Sequence, residues 1–246
     1  MTDRSVPADR HRFQNMWHLR VLGDIDICFL RAVLQMGWVD RLQWLDIGIV
    51  HKAESALDVI RLIASTAGPG VLRRLDVSVE GSPDDIQMDC IEPLLGFCEL
   101  RELYLRPAFD YAGFPALTVA DVCRIACAWS SLEHLVLDIR CPASSLLVFA
   151  KGCPMLVSLA VGIFVDEELG RMSADIGLPQ SRSLESLTMS GYFDYREVVL
   201  CAFAKRVFPQ ASQTIVRLEE VERIGEDIDY SDRFDEEDIS MEVDEE

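Results

Sequence analysis

Little in this sequence speaks for chemistry. Its 246 residues contain four histidines, no C-x-x-C pair, and no H-E-x-x-H, G-x-S-x-G or glycine-rich phosphate loop. Those absences remove the commonest metalloprotease, hydrolase and nucleotide-binding signatures. No apolar run approaches the roughly 18–20 residues that span a bilayer, and the polar start MTDRSVPADRHRFQ carries no signal-peptide segment. Cations are scarce too: Lys and Arg number 23 against 42 Asp and Glu, a net charge of −19. Nucleic-acid binding needs a basic footprint, so neither DNA nor RNA is an expected partner, and no membrane is. The expectation is a soluble protein of the cytoplasm or nucleus, with no cofactor, no metal and no catalytic residue.

What is present is a repeated phrase. SLEHLVL places Leu132, Leu135 and Leu137 at L-x-x-L-x-L spacing, and MLVSLAV repeats it 24 residues later with Leu156, Leu159 and Val161. The same spacing occurs at Leu42-Leu45-Ile47, Leu72-Leu75-Val77, Leu100-Leu103-Leu105 and Leu184-Leu187-Met189. The starts are 30, 28, 32, 24 and 28 residues apart. Weaker ends lie at Leu19-x-x-Leu22 and Ile215-x-x-Leu218. In a strand, alternate residues point to opposite faces, so the fourth and sixth positions of the phrase enter one core together. A repeat this short cannot bury its apolar face alone, and stacked repeats pair their strands in parallel. The pattern predicts an α/β fold: a leucine-rich-repeat solenoid of about six to eight repeats, with a curved parallel sheet and helices on its convex side.

The intervening runs read as helices. Asp26–Trp38 repeats Ile27, Phe29, Leu30, Val33, Leu34 and Trp38 at helical spacing, and with Leu19–Ile27 forms an irregular first repeat. Glu54–Ala67 turns Leu57, Ile60, Ile63 and Ala64 inward and stops at Gly68-Pro69-Gly70. Asp84–Phe97 is shortened or kinked by Pro93. Thr118 with Asp121 resembles a capping box for a helix running through Trp129, with Val122, Ile125 and Ala126 inward. Ser144–Lys151 ends at Gly152; Asp166–Ala174 is polar; Tyr195–Val207 carries the stripe Val198, Val199, Ala202 and Phe203. Residues 214–221 suggest an edge strand that closes the sheet.

Three segments follow: a disordered or loosely attached 1–18, the repeat domain 19–218, and an acidic disordered tail 219–246. The tail holds 15 Asp and Glu against Arg223 and Arg233, so it carries −13 of the net −19. It reads either as a solubilising end or as a lure for a basic protein such as a histone, in the manner of acidic-tailed nuclear leucine-rich proteins. Its purity is broken by Ile228, Tyr230, Phe234, Ile239 and Met241. The eight cysteines are read as small buried thiols in a reducing compartment, although Cys123 and Cys127 have a spacing that could hold a metal.

IACAWSSLEHLVL (Ile125 to Leu137) and FAKGCPMLVSLAV (Phe149 to Val161) resemble the repeat region of fungal F-box proteins with leucine-rich repeats. There a Trp-bearing helix runs into the strand phrase, and Cys-Pro stands two residues ahead of the next first leucine. Cys153-Pro154 before Leu156 fits, and Cys98 before Leu100 fits in part. The resemblance covers roughly residues 40–210. It implies a module that holds the substrate of a cullin ubiquitin ligase, with an F-box docking the Skp adaptor. Residues 1–41 contain no Leu-Pro-led F-box segment, so only the substrate-holding role carries over, and the Skp and cullin complex would join through an F-box encoded elsewhere.

Positions three, five and seven of the phrase face away from the core, on the concave side. Position three reads Trp44, Arg74, Glu102, His134, Ser158 and Ser186; position five reads Asp46, Asp76, Tyr104, Val136, Ala160 and Thr188; position seven reads Gly48, Ser78, Arg106, Asp138, Gly162 and Ser190. Trp, Tyr and Arg are the types that anchor interfaces. The expected partner-binding set is therefore Trp44, Asp46, Arg74, Asp76, Glu102, Tyr104, Arg106, His134 and Asp138. Of the histidines, His11 and His18 fall in the loose start, His51 in a loop, and His134 on the sheet between Glu102 and Ser158. Stacks of that kind are routine in any parallel sheet, so recognition rather than catalysis is expected.

Overall fold

The computed structural model describes residues 17–21, 23, 25–36, 41–51, 56–79, 88–107, 116–166, 169, 178–191 and 197–218. The acidic tail 219–246 lies outside them, as does most of the polar run 166–174. Among the described residues, nine strands and six α-helices follow one another: β1 (His18–Val21), β2 (Ile25–Asp26), α1 (Ile27–Leu34), β3 (Trp44–His51), α2 (Ala56–Thr66), β4 (Arg74–Val79), α3 (Met88–Ile91), β5 (Glu102–Pro107), α4 (Val119–Ala128), β6 (His134–Pro142), α5 (Ser145–Gly152), β7 (Ser158–Phe164), β8 (Ser186–Gly191), α6 (Glu197–Val207) and β9 (Gln213–Leu218). The strands form one open sheet in the order β1-β3-β4-β5-β6-β7-β8-β9, with β2 pairing the end of β3. Every pairing among them is parallel.

The register follows the leucine phrase. Leu45, Leu75, Leu103, Leu135, Leu159 and Leu187 are Cα partners in succession, as are Ile47, Val77, Leu105, Leu137, Val161 and Met189. All twelve are buried, and so are the phrase-opening leucines 42, 72, 100, 132, 156 and 184. They share one core with the inward residues of the helices. The helices thus cover one face of the sheet, and the other face is left half-exposed.

A second periodic device satisfies the backbone just ahead of each strand. The carbonyl at position two accepts two consecutive N–H groups from the next repeat. Trp17 receives residues 43 and 44, Gln43 receives 73 and 74, Arg73 receives 101 and 102, Arg101 receives 133 and 134, Glu133 receives 157 and 158, and Val157 receives 185 and 186, at 2.7–3.1 Å. Donors that would otherwise be orphaned at a turn are paired by this ladder. It also identifies the terminal repeats. Trp17 holds position two, so Leu19 pairs with Leu45 at position four and does not open a phrase. At the other end Thr214 and Val216 pair with Leu187 and Met189, while Ile215 lies on the open face beside Thr188. The expected weak copies at Leu19 and Ile215 are therefore out of phase with the sheet. His18 belongs to β1 and His51 ends β3, where a loose start and a loop were expected.

Each helix turns an apolar stripe to the core. Val59, Ile60 and Ile63 of α2, Val122, Ile125 and Ala126 of α4, and Leu146, Phe149 and Ala150 of α5 are buried. The capping box at α4 is complete: Thr118 Oγ1 accepts from the Asp121 N–H at 3.2 Å, and Asp121 Oδ2 accepts from the Thr118 N–H at 3.0 Å. Pro93 ends α3 after one turn, because it stands in a 3₁₀ turn (Glu92–Leu94) that the missing N–H and fixed φ favour. Two expectations change. In α6 the buried stripe is Leu200, Phe203, Ala204 and Val207, and Val198 is 77% exposed; i, i+3, i+4, i+7 spacing from Leu200 outcompetes the stripe drawn from Val198. In α1 Phe29 is 54% exposed, with Leu30 and Leu34 facing the core.

The cysteines also divide. Cys90, Cys141 and Cys153 are buried, but Cys28, Cys98, Cys123 and Cys127 are exposed, so uniform burial does not hold. Cys123 and Cys127 lie on the outer face of α4, away from Val122, Ile125 and Ala126. Phe97, and not Cys98, fills the buried slot three residues ahead of the leucine, the slot that Trp129 and Cys153 fill in the next two repeats. Among the described residues no helix is long and apolar enough to cross a membrane.

Candidate functional site

The open face is built by the odd positions of the strands. Row three runs His18, Trp44, Arg74, Glu102, His134, Ser158, Ser186 and Gln213; row five runs Arg20, Asp46, Asp76, Tyr104, Val136, Ala160, Thr188 and Ile215. Seven of the nine residues in the expected set lie in these two rows, and Arg106 follows in row seven opposite Ser78. Row seven differs. β3 shifts register at Gly48, so Ile49 pairs with Ser78, and β6 shifts between Leu137 and Arg140, so Arg140 takes the place beside Gly162 that was expected of Asp138. A close approach at a glycine accompanies each irregularity. A Cβ on Gly48 would lie 2.5 Å from the Gly23 carbonyl oxygen, and one on Gly162 would lie 3.1 Å from Cα and Cγ of Arg140. Arg140 thus packs closely against Gly162 of β7.

Arg74 is the centre of the face. Its guanidinium stands 5.6 Å from the Trp44 ring and 5.0 Å from the Tyr104 ring, while Nη1 donates to Glu102 Oε2 at 2.8 Å. Nη2 lies 3.8 Å from Asp76. Arg106 stacks on the other side of Tyr104 at 5.2 Å and reaches Asp76 at 3.6 Å. Arg20 meets Asp46 at 2.8 Å. At the β1 end Trp17 and His18 close edge-on upon Trp44, with centroids 5.6 and 5.4 Å away. The outcome is an unbroken ladder of rings and guanidinium planes across four strands, from Trp17 to Arg106. Stacked geometry of this kind uses the properties that distinguish arginine from lysine.

Electrostatics explains why the ladder needs its cations. Asp46 and Asp76 are register partners on adjacent strands, about 4.8 Å apart, where like charges repel. Partial burial raises the Asp76 pKa, as does Asp46, while Arg106, Arg74 and Arg20 pull it down. Tyr104 is also raised, by burial and then by the Glu102 carboxylate, so it remains a neutral donor to Glu102 at 3.3 Å. Glu102 divides its carboxylate between Arg74 and Tyr104, although its register neighbour is His134.

Trp17, His18 and Arg20 are members that the sequence reading missed. The signal was Trp17, which precedes Gln43 by a repeat-like 26 residues, but its phrase opens with Met16 in place of leucine. Beyond the ladder, β7 and β8 offer the small residues Ser158, Ala160, Gly162, Ser186, Thr188 and Ser190 to the face, and β9 adds Gln213 and Ile215. Among the described residues no group of three or more His, Cys, Asp or Glu is placed to hold a metal. No protein-family model matches the chain, and comparison with curated proteins gives no match.

Proposed function

We propose that this chain is a leucine-rich-repeat solenoid that recognises a protein partner on the open, concave face of its sheet, without catalysis. The observation that carries the reading is the Trp17–Trp44–Arg74–Tyr104–Arg106 ladder. It concentrates interface-anchoring residue types on the sheet face that, among the described residues, no helix covers. The 24–32-residue spacing and the repeated double-acceptor carbonyls support the solenoid reading. The phrases IACAWSSLEHLVL and FAKGCPMLVSLAV resemble those of F-box proteins with leucine-rich repeats. On that footing the module holds the substrate of a cullin ubiquitin ligase, joined to the Skp adaptor through an F-box outside this sequence.

The test compares the full chain with a Trp44→Ala, Tyr104→Ala, Arg106→Ala variant in parallel immunoprecipitations read by mass spectrometry. The substrate is expected only with the unsubstituted protein, and the Skp adaptor and a cullin with both, carried by the F-box-bearing chain that this reading places outside the sequence. An identical partner set would sink the face reading, and a set without the adaptor and cullin would sink the ligase reading. Histones recovered only at low salt would move the contact to the acidic tail.

A further inference from the structure

On the helix-covered side of the sheet, the outward stripe of α4 consists of Ala120, Cys123, Arg124 and Cys127, all exposed and at i, i+3, i+4, i+7 spacing. Arg124 reaches to Glu92 of the preceding repeat, and Ala120 is too small to screen the stripe. The two free thiols, four residues apart, are therefore neighbours on an accessible surface. Cys28 and Cys98 are exposed as well, but neither has a cysteine three or four residues away.

The spacing discriminates between two uses of a thiol pair. Residues four apart on a helix hold their Cβ atoms about 5–6 Å apart. A disulfide needs about 3.5–4.5 Å between Cβ atoms, so the folded helix keeps these two thiols from joining directly. One interposed atom removes the mismatch: with metal–sulfur bonds of about 2.3 Å, a linear sulfur–metal–sulfur unit sets the sulfurs about 4.6 Å apart.

The donor set then selects the ion. Structural zinc closes its shell with four ligands, while calcium and magnesium take oxygen. Among the described residues no group of three or more His, Cys, Asp or Glu is placed to hold a metal. Two thiolates by themselves suit a soft monovalent ion, and copper(I) is the one that thiolates favour. The metal keeps its oxidation state on binding. Two thiols and one monovalent cation give a bis-thiolate complex of charge −1, and two protons pass to solvent. Arg124, on the same stripe, supplies a positive charge beside that anion.

We propose that Cys123 and Cys127 form a two-coordinate copper(I) site on the outer face of α4. The site lies across the sheet from the Trp44–Arg74–Tyr104 ladder and does not rest on the recognition reading.

The probe is copper(I) itself, offered anaerobically to the reduced full-length protein as its bicinchoninate complex, whose colour fades as the metal is withdrawn. Four proteins are compared: the unsubstituted chain, Cys123→Ser, Cys127→Ser, and a Cys28→Ser, Cys98→Ser double variant. The unsubstituted chain and the double variant should each withdraw one equivalent. Either substitution in α4 should weaken uptake at least about 100-fold, because the chelate is lost. No uptake by the unsubstituted chain overturns the inference, as does uptake that survives a substitution in α4 or disappears with Cys28 and Cys98. X-ray absorption of the loaded protein should show two sulfur neighbours, and a shell of three or four ligands overturns the two-coordinate assignment. Diamide treatment tests the spacing without any substitution: a mass-mapped Cys123–Cys127 disulfide in protein of unchanged circular dichroism would show that the helix does not hold the thiols apart.

Discussion

Gly152, the last residue of α5, touches α4 where Ala126 is buried, and a Cβ placed on it would lie 2.6 Å from the Ala126 Cβ. Two effects of opposite sign meet in Gly152→Ala. Helix propensity favours alanine by up to about 1 kcal/mol, and less at a helix end. Against that, carbon atoms attract best at roughly 3.5–4.0 Å, so the new methyl intrudes by about 1 Å on a side chain that has no rotamer to move. Overpacking of this kind costs about 1–3 kcal/mol. The overlap wins, and the net expectation is a loss of about 1–2 kcal/mol. Ala126→Gly alone should also destabilise, by about 1 kcal/mol of propensity and about 0.8 kcal/mol for the buried methyl. The double substitution transfers the methyl from one helix to the other and relieves the overlap, so it should be at least about 1 kcal/mol more stable than additivity predicts. Urea unfolding of the four proteins measures the cycle. Additive energies, or a Gly152→Ala protein more stable than the parent, would refute the packing of these two helices.

Thr118→Ala should cost about 1 kcal/mol by opening the capping box, and Asp121→Ala should add to that cost, since each side chain accepts from a different backbone N–H; denaturation midpoints report both. Asp76 has a folded-state pKa raised by burial above its ordinary 3.8, so its ionisation weakens the fold as pH rises through the folded value, and the cost vanishes below the unfolded one. Asp76→Asn should therefore be more stable than the parent at pH 7 and lose that advantage below about pH 3.8; a less stable variant at pH 7 contradicts this. Exposed Cys28, Cys98, Cys123 and Cys127 should react quickly with a disulfide reagent in the native protein. Cys141 and Cys153, whose thiols burial pushes up to about 12, should react only on unfolding, and a mass-mapped label on either under native conditions would count against their burial.

The leucine phrase made the core and two of the three outward rows legible, because a period of two leaves one face for leucine and the other for Trp44, Arg74 and Tyr104. Row seven was not legible. It depends on two register shifts, at Gly48 and after Leu137, that no apolar spacing records. The exchange of Asp138 for Arg140 beside Gly162 is the consequence. Trp17 and His18 escaped notice because a terminal repeat has a neighbour on one side only and can open on Met16. In α6 the sequence Val198-Val199-Leu200 fits more than one helical stripe, and the sheet, not the helix, selects the one from Leu200.

The ladder's arginines answer first to the protein's own carboxylates. Asp46, Asp76 and Glu102 are each in contact with a guanidinium, and Arg74, 29% exposed, is held between two rings. A side chain pinned this way has already lost most of its rotamer entropy, so contact with it costs a partner little ordering. Its charge, however, is largely spent. What remains for a partner to read is the planes of Trp17, Trp44 and Tyr104 and the outer edges of the guanidinium groups. Affinity drawn from those surfaces should fall less than about threefold between roughly 50 and 300 mM salt, since buried and neutralised pairs are weakly screened. Contacts made through residues 219–246 should fall steeply over the same range. Measuring partner affinity at the two salt concentrations therefore separates the face from the tail, and a steep loss for a partner that still requires Trp44 and Tyr104 would show that the arginines are not as neutralised as their geometry implies.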